Sequence, residues 1–114
     1  MSYEGGIIQS KLFSSPLIFN WDEGNIMKNW QKHAVTSEEA EQVFLNKPLL
    51  LLPDTEHSES EVRYLCLGKT NANRRLCIAF TMRDEHIRVI SARSMNSKER
   101  KIYEQEETQT NSTF

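Results

Sequence analysis

The sequence predicts an α+β domain in which two helices precede a small antiparallel sheet and a third helix follows it. Three observations predict this. Apolar residues recur at helical spacing between residues 23 and 44, they alternate between residues 62 and 93 in runs separated by short polar loops, and Asn96 with Glu99 has the spacing of a capping box. With 114 residues and 38% hydrophobic content there is room for one core and no second domain.

Residues 1–16 mix Gly5-Gly6 and Ser14-Ser15 with a few apolar side chains and show no period, so they are expected to form an extension outside the core fold, possible disorder included. The core domain is expected to span residues 17–104, with residues 105–114 as a polar acidic tail. Residues 17–21 are β-prone and end at Asp22, a natural N-cap for a helix over about residues 23–32. Ile26, Met27, Trp30 and Ala34 then form one stripe expected to face the core. Thr36 and Glu39 have capping-box spacing, and Ala40, Val43 and Phe44 supply the apolar face of a second helix. Asn46-Lys47-Pro48 stops it, residues 49–52 suit a buried strand, and a polar loop extends from Pro53-Asp54 to Ser60.

The runs over residues 62–69, 76–82 and 86–93 are joined by connections short enough for hairpins, which predicts a three-strand meander. In the middle run Leu76, Ile78, Phe80 and Met82 alternate with Cys77, Ala79 and Thr81, which suggests one face packed by helices and one lightly covered. In the last run Arg88 and Arg93 fall on opposite sides of a regular strand, so either one sits at an edge or a bulge re-aims it. A final helix begins after Asn96 and buries Ile102 and Tyr103, with Lys98 opposing its dipole.

The charge is distributed unevenly. All seven arginines lie between residues 63 and 101, where ten basic side chains face three acidic ones, a formal balance of +7 within a chain of net charge −2. A basic face suits a polyanion. The apolar runs are too short to span a bilayer, and the N-terminus lacks a basic region followed by an apolar one, so the chain is expected to be soluble and cytoplasmic with no membrane partner. Cys66 and Cys77 would stand opposite each other if the first hairpin turned on Asn71-Ala72. A cross-strand disulfide is then conceivable, although in a reducing cytosol two buried thiols are favoured. Two cysteines and three histidines form no zinc motif.

The succession Phe19-Asn20-Trp21-Asp22, Asn29 through Lys32-His33-Ala34-Val35, Glu39-Ala40, Val43-Phe44, Pro53-Asp54, His57-Ser58, Arg63-Tyr64-Leu65, Gly68, Ile90-Ser91-Ala92-Arg93, Lys98-Glu99-Arg100 and Tyr103 resembles the BrnT family of toxins. The resemblance covers about residues 17–104. It implies a ribonuclease toxin of a type II toxin–antitoxin pair with a RelE-like fold. It also implies a BrnA-like antitoxin as partner in a toxin–antitoxin hetero-oligomer, RNA as substrate, and DNA met only through the antitoxin. No cofactor or metal is expected. Two features depart from the family: Ala34 stands where glycine usually follows Lys-His, and the overall charge is mildly acidic.

Cleaving RNA without a metal requires a base for the 2′-hydroxyl, a proton donor for the leaving 5′-oxygen, cationic stabilisation of the phosphorane and a surface for the strand. Arg63 and Arg93 are the leading transition-state stabilisers, since guanidinium offers a fixed fork of donors, and Arg88 is a third. His33 is a candidate acid or base and Lys32 a source of charge or, if desolvated, a base, although a regular helix points the two in different directions. Lys69, Arg74, Arg75, Thr81 and Ser91 are the candidate RNA contacts, whereas His57 and His86 are read as structural or solvent-facing. The acidic residues of the helices and tail are expected to lie away from the arginines, which disfavours a metal-dependent nuclease. The competing reading is a catalytically inactive protein of the same fold that survives as an antitoxin partner and corepressor.

Overall fold

Asp22 opens helix α1 (Glu23–His33), its carboxylate accepting from the Gly24 and Asn25 amides at 2.7 and 3.2 Å. Thr36 opens α2 (Ser37–Leu45) with the full capping box: Glu39 N donates to Thr36 Oγ1 and the Glu39 carboxylate accepts from Thr36 N. Strands β1 (Leu50–Pro53), β2 (Arg63–Lys69), β3 (Arg75–Arg83) and β4 (His86–Ser94) form one antiparallel sheet in that order, and α3 (Ser97–Asn111) follows. This computed structural model describes residues 12–13, 15–54 and 61–111; the loop carrying His57 and Ser58 lies outside them.

The sheet has two faces and each has its own core. Leu76, Ile78 and Phe80 of β3, with Cys66, Leu51, Ile87, Val89 and Ala92, pack against Ala40, Val43 and Phe44 of α2. Phe44 sits edge-on to Phe80, centroids 5.2 Å apart. On the opposite face Leu50, Leu67 and Cys77 pack against Met95 and Tyr103. Tyr103 is fully buried, and its hydroxyl donates to the Pro48 carbonyl at 2.6 Å.

Several expectations are corrected. The stripe on α1 does not face the core: Met27 and Trp30 are more than half exposed, and the buried residue is Asn29. The helix lies along the outer edge of β4, where unpaired backbone groups demand polar partners rather than apolar ones. Leu12 and Phe13, expected outside the core, pack on it, and Phe13 meets the rings of Phe44 and Phe80. The presumed tail is helical as far as Asn111, and Glu107 reaches back to Lys69 and Arg75.

Cys66 and Cys77 do not face each other. Cys66 pairs with Ile78 and Leu67 with Cys77, so the thiols lie on opposite faces of the sheet, both free and buried. The hairpin loop is odd in length: Thr70 N donates to Arg74 O at 2.9 Å, and Asn73 takes φ 69° to close it. One residue of slip exchanges every side chain between faces. At the next hairpin Asp84 and Glu85 both have positive φ, as a two-residue type I′ turn requires.

Candidate functional site

Two guanidinium groups five residues apart belong to opposite faces of a regular strand. β4 is not regular. Its pairing with β3 runs through Cys77–Arg93, Ile78–Ala92 and Ala79–Ser91, then resumes at Phe80–Val89 and Thr81–Arg88, which leaves Ile90 as an extra residue. This bulge brings Arg88 onto the face that carries Arg93. Arg63 joins them, because it pairs with Thr81 from the other side. Arg63, Thr81 and Arg88 form one row across three strands, and Leu65, Ala79 and Ser91 form the next. With strands about 4.8 Å apart, the two arginines flank a strip of small side chains at roughly 10 Å. Arg93 stands one row further on, where α3 begins to cover the face.

Each cation has an acidic answer nearby, contrary to the expectation that carboxylates stay away from the arginines. Arg93 holds Glu99 through two hydrogen bonds of 2.8 and 2.9 Å. Arg88 Nη2 lies 3.2 Å from the Asp22 carboxylate that caps α1. Arg75 and Lys69 meet Glu107 at 2.7 and 3.2 Å. The physical reason is topological: α3 folds back across the sheet and lays its acidic side on the basic one. Glu61 reports the convergence from the other end, since its carboxyl is held below the usual range first by hydrogen bonds from Arg83 and then by the charges of Arg63 and Arg88.

Burial tends to raise the Glu99 carboxyl, but the hydrogen bonds from Arg93 and the Asn96 amide outweigh it and hold it below its ordinary value. The Cys77 thiol beneath this pair is pushed up to about 12, chiefly by burial. It is therefore no nucleophile near neutral pH.

The other candidates separate. Lys69 and Arg75 share the face but lie under α3, where Arg75 also stands 5.9 Å from the ring centroid of Tyr103. Arg74 turns to the helical side and caps α1, donating to the Ala34 and His33 carbonyls at 2.8 and 2.9 Å and to Glu39. Lys32 and His33 end α1 there, off the arginine-bearing sheet face. Thr81 is buried and its hydroxyl donates to the Val62 carbonyl at 2.8 Å, so it is not available to a strand of RNA. Ser91 is half-buried on the face itself.

The pairing of Arg93 with Glu99 is not legible in the sequence, because the contact needs the turn between β4 and α3. His86, expected to be structural or solvent-facing, stands by alternation from Arg88 on the arginine face opposite Arg83; its two-residue spacing from Arg88 is the signal the sequence offers. Among the described residues no group of three or more His, Cys, Asp and Glu side chains is placed to hold a metal ion, and no helix is long and apolar enough to cross a membrane.

The family model described as the ribonuclease toxin, BrnT, of type II toxin–antitoxin system matches residues 21–99. Among solved structures the chain is similar to the crystal structure of the Brucella abortus ribonuclease toxin, BrnT, with 22% identity and a TM-score of 0.56, covering 71% of this chain and 99% of that one. That likeness speaks to the fold. No curated protein matches the chain.

Proposed function

The chain belongs to the BrnT family of ribonuclease toxins of type II toxin–antitoxin systems, and on that premise we propose that it is an endoribonuclease which cleaves RNA by 2′-hydroxyl attack without a metal ion. The observation that carries this reading is the bulge at Ile90, which puts Arg88 beside Arg63 and Arg93 over a strip of small side chains. A phosphodiester lying on Ala79 and Ser91 would meet guanidinium forks from both flanks. The carboxylates of Asp22 and Glu99 hold those forks in place until a phosphate replaces them.

Arg63, Arg88 and Arg93 then stabilise the negative charge that grows on the phosphorane oxygens. Among the described residues His86 is the histidine on the same face, and it is assigned the proton transfer in place of His33 and Lys32. As a neutral imidazole it takes the 2′-hydroxyl proton; the leaving 5′-oxygen receives one from water or from the imidazolium so formed. A BrnA-like antitoxin is the proposed partner, covering the same cationic face and meeting DNA on behalf of the complex.

Cleavage of naked RNA in EDTA tests the activity. The expected result is cutting that falls at least about a hundredfold in Arg93→Ala, the scale of a lost oxyanion donor, with circular dichroism unchanged. RNA binding without cleavage in the unaltered chain would instead favour the inactive antitoxin partner, and full cleavage by Arg93→Ala would remove that residue from the site.

A further inference from the structure

Asn25 and Asn29 stand one helical turn apart on α1, and both reach the outer edge of β4. Asn25 Nδ2 donates to the Val89 carbonyl at 3.4 Å and Asn29 Oδ1 accepts from the Ala92 amide at 3.3 Å. The two bonds bracket Ile90 and Ser91, where pairing with β3 shifts.

Parity makes this grip specific for the bulged strand. In a regular edge strand the outward-facing backbone groups belong to alternate residues. Ile87 faces outward, its N–H and C=O meeting Ile18 and Asn20, and Val89 follows two residues later. The rule would next turn Ser91 outward and Ala92 inward. Ala92 instead presents its N–H to Asn29, because one extra residue has intervened.

The apolar pattern demands an extra residue but does not choose it. Ile87, Val89 and Ala92 all belong to the first core cluster, and that holds whether the chain bulges at Ile90 or at Ser91. Asn29 is 3% exposed and its Nδ2 has no hydrogen-bond partner. A buried donor left unpaired lowers stability, so packing alone would favour an apolar residue at this position. What the amide contributes is the bond to Ala92.

We propose that Asn25 and Asn29 are positioning residues that fix the bulge at Ile90, and with it the spacing and aim of Arg88 relative to Arg93 and Arg63, an inference that rests on the ribonuclease reading above. They act through the strand and touch no substrate. Register errors of this kind leave the fold intact while misplacing a guanidinium by an ångström or more, which is enough to slow a reaction severely.

The test compares Asn29→Leu and Asn25→Leu with the unaltered full chain by NMR and by single-turnover RNA cleavage. Exchange of the Ala92 amide is expected to rise about tenfold, with cross-strand contacts of Ala79 divided between Ser91 and Ile90. Cleavage is expected to fall about tenfold with RNA affinity changed less than about twofold. A chain lacking Ile90 has a regular strand and no bulge to place, so Asn29→Leu in that background should cost less than about twofold.

An equal loss of cleavage in both backgrounds would overturn the proposal, as would unchanged Ala92 exchange and unchanged pairing in the leucine variants. If Asn29→Leu does not fold, the partly exposed Asn25→Leu carries the same comparison. Should the unaltered chain leave RNA uncut, the ribonuclease reading fails, while pairing and exchange still decide whether the amides place the bulge.

Discussion

Ala34 adopts φ 53° and ψ 43°, the left-handed region, and its N–H closes the end of α1 on the Trp30 carbonyl at 2.9 Å. A Cβ in that region costs roughly 1–2 kcal/mol. The departure from glycine noted in the sequence is therefore a strained cap, held in part by Arg74 on the Ala34 carbonyl. Ala34→Gly should raise stability by about 1 kcal/mol, seen as a higher urea midpoint at unchanged slope. Glu39 and Glu99 both contribute to the response to acid. Glu39 is held below its ordinary value first by the Thr36 amide and then by Arg74, and Glu99 is lowered as described above. Because the folded values are depressed, the stability these groups add is fully present above the unfolded value of about 4.3 and is lost as pH falls through the folded values. Urea midpoints should drop below that pH, and the drop should be shallower in Glu99→Gln; an identical acid limb would show that Glu99 does not carry it.

At the scale of elements, α2 approaches β2 over Gly68. A Cβ there would stand 2.6 Å from Val43 Cγ1 and 3.3 Å from the Val43 carbonyl, so helix or strand must move to accept it. Gly68→Ala should lower stability by about 1–3 kcal/mol, measured by chemical denaturation, and a neutral result would mean that α2 shifts freely. The capping boxes at Thr36 and Asn96 were legible because both partners are three residues apart and the motif is local. The periodicity of α1 was legible as a helix but not as an orientation. Its neighbour is the open edge of β4, and Asn25 and Asn29 satisfy that edge while Met27 and Trp30 turn outward. For α3 the carboxylates looked like a solvated tail, since no local rule announces that Glu107 will meet Lys69 and Arg75 across the sheet.

For the whole molecule, the basic stretch of the sequence becomes two surfaces. Arg74 joins the helices on one side, whereas Arg63, Arg88 and Arg93 occupy the other, where Asp22 at the start of α1 pairs with Arg88 and Glu99 of α3 pairs with Arg93. Three guanidinium groups meeting phosphates predict that log K for a single strand falls against log salt with a slope of roughly −2, measured by fluorescence anisotropy. A slope near zero would mean that RNA is held elsewhere. The antitoxin complex should weaken with salt in the same sense.

The sequence by itself determined the order of elements, their caps, the meander and the confinement of every arginine to residues 63–100, because these depend on the order of residues, on neighbours along the chain or on simple alternation. It also stated the conflict between Arg88 and Arg93 without resolving it. Only the tertiary structure decided the odd hairpin loop that parts the two cysteines, the bulge at Ile90 that gathers the arginines, and the return of α3 across the face. Each turns on contacts between residues distant in sequence, and a single residue of register, which no local preference fixes, decides which side of the sheet a charge will occupy.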